Sequence, residues 1–335
     1  MPKESLVSVI LLTLNSAKYI GRALSSVYAQ SYKNLEVIVV DAGSFDTTKN
    51  IVHSFLGTRW LELPNSDMGM ARNYGLKNSN GVFVMFLDSD DIYLEGKIKD
   101  QVLALNQNKK FDFVVSPAYV MRNLTGRVGI KDWTVNKLSI ENFLAGQCYS
   151  LGTLCIKKTS LTKNCYFYEK EAGRYCEDWS FQLRLFLEGL CFEVLPKASV
   201  LVELRLDSHT DWSVQPKMKE VGLHVVKSAF SVIKENKIKH CTFEQDILDK
   251  YQFKLAISYF ANGMLNQGRT TLSEISNDYK GYKFIITILS FIFPKFLLSY
   301  LLRNLWIKRQ NSSFKWTVMP PDLKVWVDKH NKYLN

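Results

Sequence analysis

The stretch that determines the fold reads Val82-Phe83-Val84-Met85-Phe86-Leu87-Asp88-Ser89-Asp90-Asp91. Its first six residues are apolar, and a short apolar run rich in valine and phenylalanine predicts a strand that is buried on both faces. Three carboxylates then follow within four positions. Carboxylate oxygens suit Mg²⁺ or Mn²⁺, and open α/β sheets bind ligands at the carboxyl ends of their strands. The stretch therefore predicts a divalent-cation site, and the alternative is an acidic turn in which Asp91 caps the next helix.

Strands and helices alternate along the first 216 residues. Apolar runs of strand length are separated by segments with helical spacing, and this alternation predicts an α/β fold with a parallel, doubly wound sheet. The predicted strands are 7–12, 35–40, 59–63, 82–87, 111–116, 151–157 and 191–204, and the predicted helices begin near residues 16, 47, 67, 94 and 178.

The region from residue 217 to 335 differs in both pattern and charge. Its spacing predicts helices at about 217–235, 243–266, 270–277 and 283–308. It carries 19 Lys and Arg against 9 Asp and Glu, which accounts for nearly all of the net charge of +11. The asymmetry indicates an anionic partner, either nucleic acid or a membrane surface. We therefore divide the chain into a catalytic domain, residues 1–216, and a helical, basic region, residues 217–335.

An apolar stretch within the basic region favours the membrane. Residues 284–302 are almost entirely apolar, and seven Lys and Arg without any Asp or Glu lie between Lys280 and Lys315. A spanning helix needs ~20 apolar residues, but Pro294 and Lys295 interrupt this one, which favours a helix lying in the plane of an anionic membrane. The alternative is a buried helical hairpin. Nucleic acid is not expected, because the basic residues flank apolar ones rather than exposed polar ones.

Cysteine usage and the first residues indicate the compartment. The six cysteines form no Cys-x-x-Cys pair, so scattered reduced thiols are expected rather than a zinc site. The first residues carry no secretory signal. We therefore expect a cytoplasmic protein that lies peripherally at the inner face of the plasma membrane.

Five short motifs follow one another along residues 6–215: Ser8-Val9-Ile10 through Asn15, Glu36 through Ser44, Gly69 with Ala71-Arg72-Asn73, Asp88-Ser89-Asp90-Asp91, and Glu177-Asp178-Trp179. Each motif is weak by itself, but together, in this order and at this spacing, they resemble the family 2 glycosyltransferases. The resemblance implies a GT-A fold with a mixed, doubly wound sheet followed by a helical C-terminal region. It also implies inverting transfer of a sugar from a nucleotide-diphosphate donor, most simply a UDP-sugar.

The resemblance also implies which residues bind the nucleotide-sugar: Thr13, Asn15, Asp41, Arg72 and Asp88. A guanidinium in the family position of Arg72 reaches the base or a phosphate. The family motif commonly reads Asp-Asp-Gly-Ser, and this chain has alanine at its second position, after Asp41.

The remaining implied roles are chemical. Asp90 matches the family's metal ligand, with Mn²⁺ or Mg²⁺ as the cofactor, and His209 is a candidate second ligand. Asp178 matches the catalytic base, which takes the proton from the acceptor hydroxyl. The alternative for Asp178 is capping of the helix that begins there, and the two roles are compatible.

Other enzyme classes fit less well. A processive polysaccharide synthase carries Gln-x-x-Arg-Trp after the base, whereas Gln182-Leu183-Arg184 is followed here by leucine. A nucleotidyltransferase usually carries a glycine-rich loop after its first strand, and none is present. The expected acceptor is a saccharide or a lipid-linked saccharide in bacterial surface-polysaccharide assembly, since the basic apolar region favours a lipid-linked substrate.

Overall fold

The computed structural model describes residues 4–122, 127–131, 140–144, 146, 148–162, 167, 175–204, 212–235, 244–276, 286–287, 289–290, 295–312 and 317–331. These residues form two compact units. The first comprises the described residues within Met1–Ser139, Cys148–Arg205 and Trp316–Asn335. The second comprises those within Ile140–Gln147 and Leu206–Lys315.

A seven-stranded mixed sheet forms the centre of the first unit. Its strands are β1 (Val7–Thr13), β2 (Leu35–Asp41), β3 (Thr58–Glu62), β4 (Phe83–Asp88), β6 (Phe113–Val115), β9 (Cys155–Lys157) and β10 (Phe192–Val194). Their order across the sheet is β10-β6-β9-β4-β1-β2-β3. Strands β1 to β4 run parallel, and β9 pairs antiparallel with both β4 and β6. The predicted parallel sheet is therefore mixed, as the family resemblance implied.

The same unit contains a second sheet of five described strands. They are β5 (Ile92–Tyr93), β7 (Ala118–Arg122), β8 (Arg127–Lys131), β11 (Val200–Leu204) and β12 (Thr317–Val318). Their order is β12-β8-β7-β11-β5, and among these neighbouring pairs only β7 and β11 run parallel.

The helices of the first unit pack on these sheets. They are α1 (Ala17–Tyr28), α2 (Thr48–His53), α3 (Met68–Lys77), α4 (Lys97–Gln107), α6 (Glu177–Leu187) and α11 (Pro321–Asn331). The described helices of the second unit are α5 (Ile140–Leu144), α7 (Gln215–Glu235), α8 (Glu244–Ala261), α9 (Leu265–Ser273) and α10 (Lys295–Ser312).

The buried strands form as the sequence predicts, because their residues are apolar on both faces. The described side chains of β1 and β4 are almost wholly buried between helices. Gly75 lets α3 approach the sheet closely, since a Cβ at this position would lie 2.5 Å from the Ile10 Cγ2 atom. This close approach fixes the helix that carries Arg72.

Several predicted boundaries differ from the structure. The segment 151–157 begins with a 3₁₀ turn (Leu151–Thr153), and its strand is only Cys155–Lys157. The helix predicted at 283–308 is described from Lys295 to Ser312. Residues 277–285, 288 and 291–294 lie outside the described residues.

The chain's last described segment joins the first unit. Strand β12 pairs with β8, and α11 packs against α1. His330 Nδ1 lies 2.7 Å from the Ser25 hydroxyl, and the Trp326 indole donates to the Tyr93 carbonyl at 2.8 Å. The sequence analysis grouped residues 316–335 with the basic helical region. Compact units are not the same as independently folding domains, so the boundary at residue 216 stays a prediction.

Candidate active site

Three predicted site residues meet at one edge of the seven-stranded sheet. Strand register pairs Thr13 with Asp41, and Leu12 with Asp88, so the carboxyl ends of β2, β1 and β4 lie side by side. Strands β2 and β3 lie on one side of β1, and β4 lies on its other side, so the order of successive strands reverses between β1 and β4. Such a switch point forms a ligand crevice in open α/β sheets. The Thr13 hydroxyl is buried and finds no hydrogen-bond partner within the described part of the chain. A buried polar atom without a partner at such an edge is suited to contact a ligand.

Asp41 organises the loop that follows β2. One carboxylate oxygen accepts the N–H groups of Gly43 (3.1 Å) and Ser44 (2.8 Å), and the other accepts the Ser44 hydroxyl. Gly43 has φ +109°, a conformation that side chains other than hydrogen rarely allow. Asp41 is therefore a turn-forming residue in this structure. Its contact with a nucleotide stays a prediction.

Asn15 clamps the same loop from the end of β1. Its backbone N–H donates to the Ser44 hydroxyl at 2.8 Å, and its side-chain Oδ1 accepts the Phe45 N–H at 3.0 Å. Asn15 itself has φ +49°, which asparagine tolerates better than most residues. These bonds give Asn15 a loop-fixing role that the sequence did not indicate.

Arg72 joins the acidic turn to helix α6. It is 3% exposed, donates to Asp88 Oδ1 at 3.0 Å and to Glu177, and lies 5.5 Å from the centre of the Phe167 ring. Burial by itself lowers the pKa of the guanidinium, but the carboxylates of Glu177 and Asp88 outweigh it and raise that pKa. Arg72 therefore stays charged, and each of its Nη atoms donates to a protein carboxylate. Its contact with a nucleotide stays a prediction.

Glu177 and Asp178 begin helix α6. Glu177 is buried, and burial raises its pKa to about 7, with the nearby charge of Asp178 adding to the rise and Arg72 opposing it. The half-buried Asp178 accepts the Trp179 N–H at 2.6 Å. Trp179 is buried. The sequence analysis assigned no separate role to Glu177. Its position next to the predicted base, Asp178, is the sequence feature that could have marked it as part of the site.

The acidic turn follows β4 directly. The Asp91 N–H donates to the Asp88 carbonyl at 3.0 Å, and the Ser89 hydroxyl donates to that of Ser16 at 2.9 Å. The Asp91 carboxylate is buried and accepts the Glu203 N–H at 3.1 Å. Burial, with the charges of Asp90 and Asp88, raises the pKa of Asp91 well above its ordinary value.

The alternative in which Asp91 caps the next helix is wrong. Strand β5 follows the turn, and α4 begins only at Lys97, with Gly96 at its N-cap. The Asp91 carboxylate instead binds strand β11 by accepting the Glu203 N–H. This contact forms because the apolar residues Ile92 and Tyr93, which follow Asp91, pair with β11 in the second sheet.

The donor set of the turn fits a hard divalent cation. The Asp88 side chain is 44% exposed, and Asp90 stands two residues beyond it. Among the described residues, no group of three or more His, Cys, Asp and Glu could hold a metal alone. Mg²⁺ is usually bound by one or two carboxylates together with substrate phosphates, so these residues fit it. His209 lies outside the described residues.

Residues 8–151 match the family model described as "Glycosyl transferase family 2". The chain is 40% identical over 116 residues to an uncharacterized glycosyltransferase of Rickettsia typhi, a match that covers 34% of this chain and 36% of the relative. It is 30% identical over 197 residues to the poly(ribitol-phosphate) beta-N-acetylglucosaminyltransferase TarS of Staphylococcus aureus, covering 56% and 34%. These matches span about a third of each relative's length.

Solved structures share the fold. The crystal structure of S. aureus TarS 1–349 in complex with UDP-GlcNAc matches with a TM-score of 0.61 and 21% identity, over 89% of this chain and 91% of that one. The crystal structure of S. aureus TarS matches with a TM-score of 0.55 and 23% identity, over 81% and 49%. At this identity the likeness concerns the fold, and it agrees with the mixed sheet described above.

Proposed function

Because residues 8–151 form a family 2 glycosyltransferase domain, we propose that this protein transfers a sugar from a UDP-sugar to a saccharide hydroxyl, with inversion at the anomeric carbon. The observation that carries the proposal is the junction of Asp88, Arg72 and Glu177, which links the acidic turn to the helix bearing Asp178. The turn proposed to bind the donor and the helix that bears the proposed base are thereby joined through the buried side chains of Arg72 and Glu177. UDP-GlcNAc is the first donor to test, since a structural relative was solved with it.

The donor's nucleoside lies in this proposal at the carboxyl edge of β1, β2 and β4. The buried Thr13 hydroxyl offers an unfilled hydrogen bond to the nucleotide. Asp41 keeps spare acceptor capacity, because an ionised carboxylate has about four lone-pair sites and three protein donors are bound here. The partly exposed carboxylate of Asp88 is the proposed partner of a ribose hydroxyl.

A divalent cation, when bound, supplies positive charge against the diphosphate as the leaving UDP gains negative charge. Asp90 would hold it, with Asp88 beside it, and His209 stays a candidate ligand. Arg72 neutralises part of the charge of Asp88 and thereby keeps two carboxylates tolerable at the same turn.

Asp178 is the proposed base. The acceptor oxygen forms a bond to the anomeric carbon as the bond from that carbon to the diphosphate oxygen breaks, and the acceptor's proton passes to the Asp178 carboxylate. One displacement inverts the configuration, so an α-linked donor gives a β-linked product. The charges of Arg72 and Asp178 attract each other, which links the proposed base to the same junction.

The test is a donor screen with the purified protein. Release of the nucleoside diphosphate from UDP-, GDP- and dTDP-sugars is measured with Mn²⁺, with Mg²⁺ and in EDTA. We expect turnover of a UDP-N-acetylhexosamine that needs the metal and is lost in Asp178→Asn. Wild-type protein that binds none of these nucleotides would contradict the proposal.

We also propose that the second unit binds an anionic membrane surface through α10, where a lipid-linked acceptor would be found. Leu298 and Leu302 pack one face of α10 into the unit's core. Four large apolar side chains elsewhere on α10 are exposed: Phe296 (75%), Tyr300 (64%), Leu301 (42%) and Leu305 (63%). The sequence of α10 contains four Lys and Arg and no Asp or Glu, which complements anionic headgroups.

The proposal places the membrane contact on α10 rather than on the whole apolar stretch 284–302. Leu289, which lies in the apolar stretch 284–302, packs against the core of the second unit instead. Most other residues of 284–293 lie outside the described residues. Among the helices that the structure describes, none has the length and apolar character required to span a bilayer.

The membrane proposal is tested by flotation with vesicles of anionic and of neutral lipids. We expect binding to anionic vesicles that weakens in high salt and is lost in a Phe296→Ser/Leu305→Ser double variant. Val325→Ser, which removes a 70% exposed apolar side chain from α11, is the matched control and should still float. Equal recovery from anionic and neutral vesicles would overturn the proposal.

A further inference from the structure

A buried arginine beneath the acidic turn has no role in the chemistry above. Arg22, on α1, is fully buried. Its Nη2 atom donates to the backbone carbonyl of Asp90 at 2.6 Å and also to the carboxylate of Glu203. Arg22 therefore holds the main chain of the turn at the residue proposed to bind the metal.

Glu203 closes a ring of contacts around that turn. Its side chain pairs with Arg22, and its backbone N–H donates to the Asp91 carboxylate at 3.1 Å. The three residues come from α1, β11 and the turn itself, and all three are buried. We call Arg22, Glu203 and Asp91 the turn-anchoring network.

The network is costly to maintain, which argues for a role beyond packing. A buried ion pair gains little over apolar residues of the same volume, because both groups lose their hydration. The Nε and Nη1 atoms of Arg22 are also buried without a hydrogen-bond partner among the described residues. Buried polar groups left without a partner are rare in native structures and call for an explanation, and a geometric requirement at a functional site is one such explanation.

We infer that Arg22 is a positioning residue for the donor site: it fixes the Asp88–Asp91 turn so that the Asp90 carboxylate faces the cation and diphosphate. The inference rests on the proposed function for its ligand, but the anchoring itself does not. Arg22 touches no substrate and acts through the Asp90 carbonyl and Glu203.

The first test measures the turn without any ligand. Deuterium uptake of the peptide spanning residues 86–95 is compared in wild type, Arg22→Met, Arg22→Lys and Arg59→Met. Arg59 is the matched control, since it also binds a carboxylate and a carbonyl, those of Glu36 and Asn78, on a different part of the unit. We expect uptake at 86–95 to rise at least tenfold in rate in Arg22→Met, to rise less in Arg22→Lys, and to stay unchanged in Arg59→Met.

The second test measures ligand binding without turnover. Binding of Mn²⁺ in the presence of UDP is followed by the electron paramagnetic resonance of the free ion. We expect at least tenfold weaker binding in Arg22→Met, a smaller loss in Arg22→Lys, and none in Arg59→Met. If Arg22→Met does not fold, Arg22→Lys and Glu203→Gln, which preserve the side-chain volume, decide the matter.

The outcomes separate this inference from the proposed function. If wild type fails to bind UDP and Mn²⁺, the proposed function is contradicted. The deuterium uptake at residues 86–95 would still test whether Arg22 fixes the turn. Unchanged exchange at 86–95 in the folded Arg22 variants would overturn the inference. A rise in uptake that is uniform over the whole chain would also overturn it, because that outcome marks a general loss of stability.

Discussion

Replacement of Glu177 by glutamine tests the buried junction between the acidic turn and α6. The substitution keeps the shape of the side chain but removes its titration. Glu177 is buried against Arg72, and its pKa rises from an ordinary 4.5 to about 7, chiefly because of burial. The charged groups that face it are Arg72, Asp178 and, through Arg72, Asp88.

The magnitude follows from linkage between protonation and folding. Between pH 4.5 and about 7 the folded protein holds a proton on Glu177 that the unfolded chain has released. The free energy of unfolding therefore falls as the pH rises through this window. Each pKa unit corresponds to ~1.4 kcal/mol, so the full loss amounts to about 3 kcal/mol. Above the window the loss is complete and constant.

The assay is urea unfolding of wild type and Glu177→Gln at intervals from pH 4.5 to 8. We expect the difference in unfolding free energy between the two proteins to move in favour of the variant by about 3 kcal/mol over this range. Glu62→Gln, which removes an exposed carboxylate of β3, provides the control and should run parallel to wild type. Parallel profiles for wild type and Glu177→Gln would refute the reasoning, since Arg72 would then compensate fully for the burial.

Three further predictions concern the site and its support. Asp178→Asn should lower turnover by ~10² or more, because an amide cannot accept the acceptor's proton, while nucleotide affinity in a titration with UDP stays the same; loss of nucleotide binding would mark Asp178 as structural. Asp90→Ala should abolish transfer without changing the circular dichroism spectrum, and full activity of this variant or of wild type in excess EDTA would rule out the metal assignment. Gly75→Ala should destabilise the first unit by ~1–3 kcal/mol, a typical cost of overpacking, since its Cβ would meet the buried Ile10 side chain at 2.5 Å; an unchanged urea midpoint would show that α3 shifts freely.

The strands at the centre of the first unit were predictable because local composition suffices to define them. Six consecutive apolar residues before Asp88 admit few structures other than a buried strand. The carboxyl ends of parallel strands share one edge, so Thr13, Asp41 and Asp88 lie close together once their strands pair in the observed register.

The contacts that connect these strand ends to the rest of the site were not predictable. Glu177 stands 105 residues beyond Arg72, and Glu203 stands 181 residues beyond Arg22. Hydrophobic periodicity carries no information on which buried charges will pair over such separations. The assignment of Arg72 to the nucleotide came from the family resemblance and stays a prediction, and its contacts with Glu177 and Asp88 were not foreseen.

The alternative in which Asp91 caps a helix failed for a similar reason. An acidic residue before a helical pattern is a common helix cap. The intervening strand has only two residues, and its partner, β11, lies more than a hundred positions away in the sequence. A two-residue strand has no periodicity that could reveal it.

The position of α11 within the first unit has a consequence during protein synthesis. Met319, Leu323 and Val327 complete a buried cluster with Ile92 and Leu201, yet the ribosome makes them only after the whole second unit. At 5–20 residues per second the intervening 110 residues take roughly ten seconds to translate. Throughout that interval the apolar surface over β5 and β11 lacks its cover. The nascent chain is therefore expected to need a chaperone at this stage, and conditions that slow translation should increase its aggregation more than they affect the finished protein.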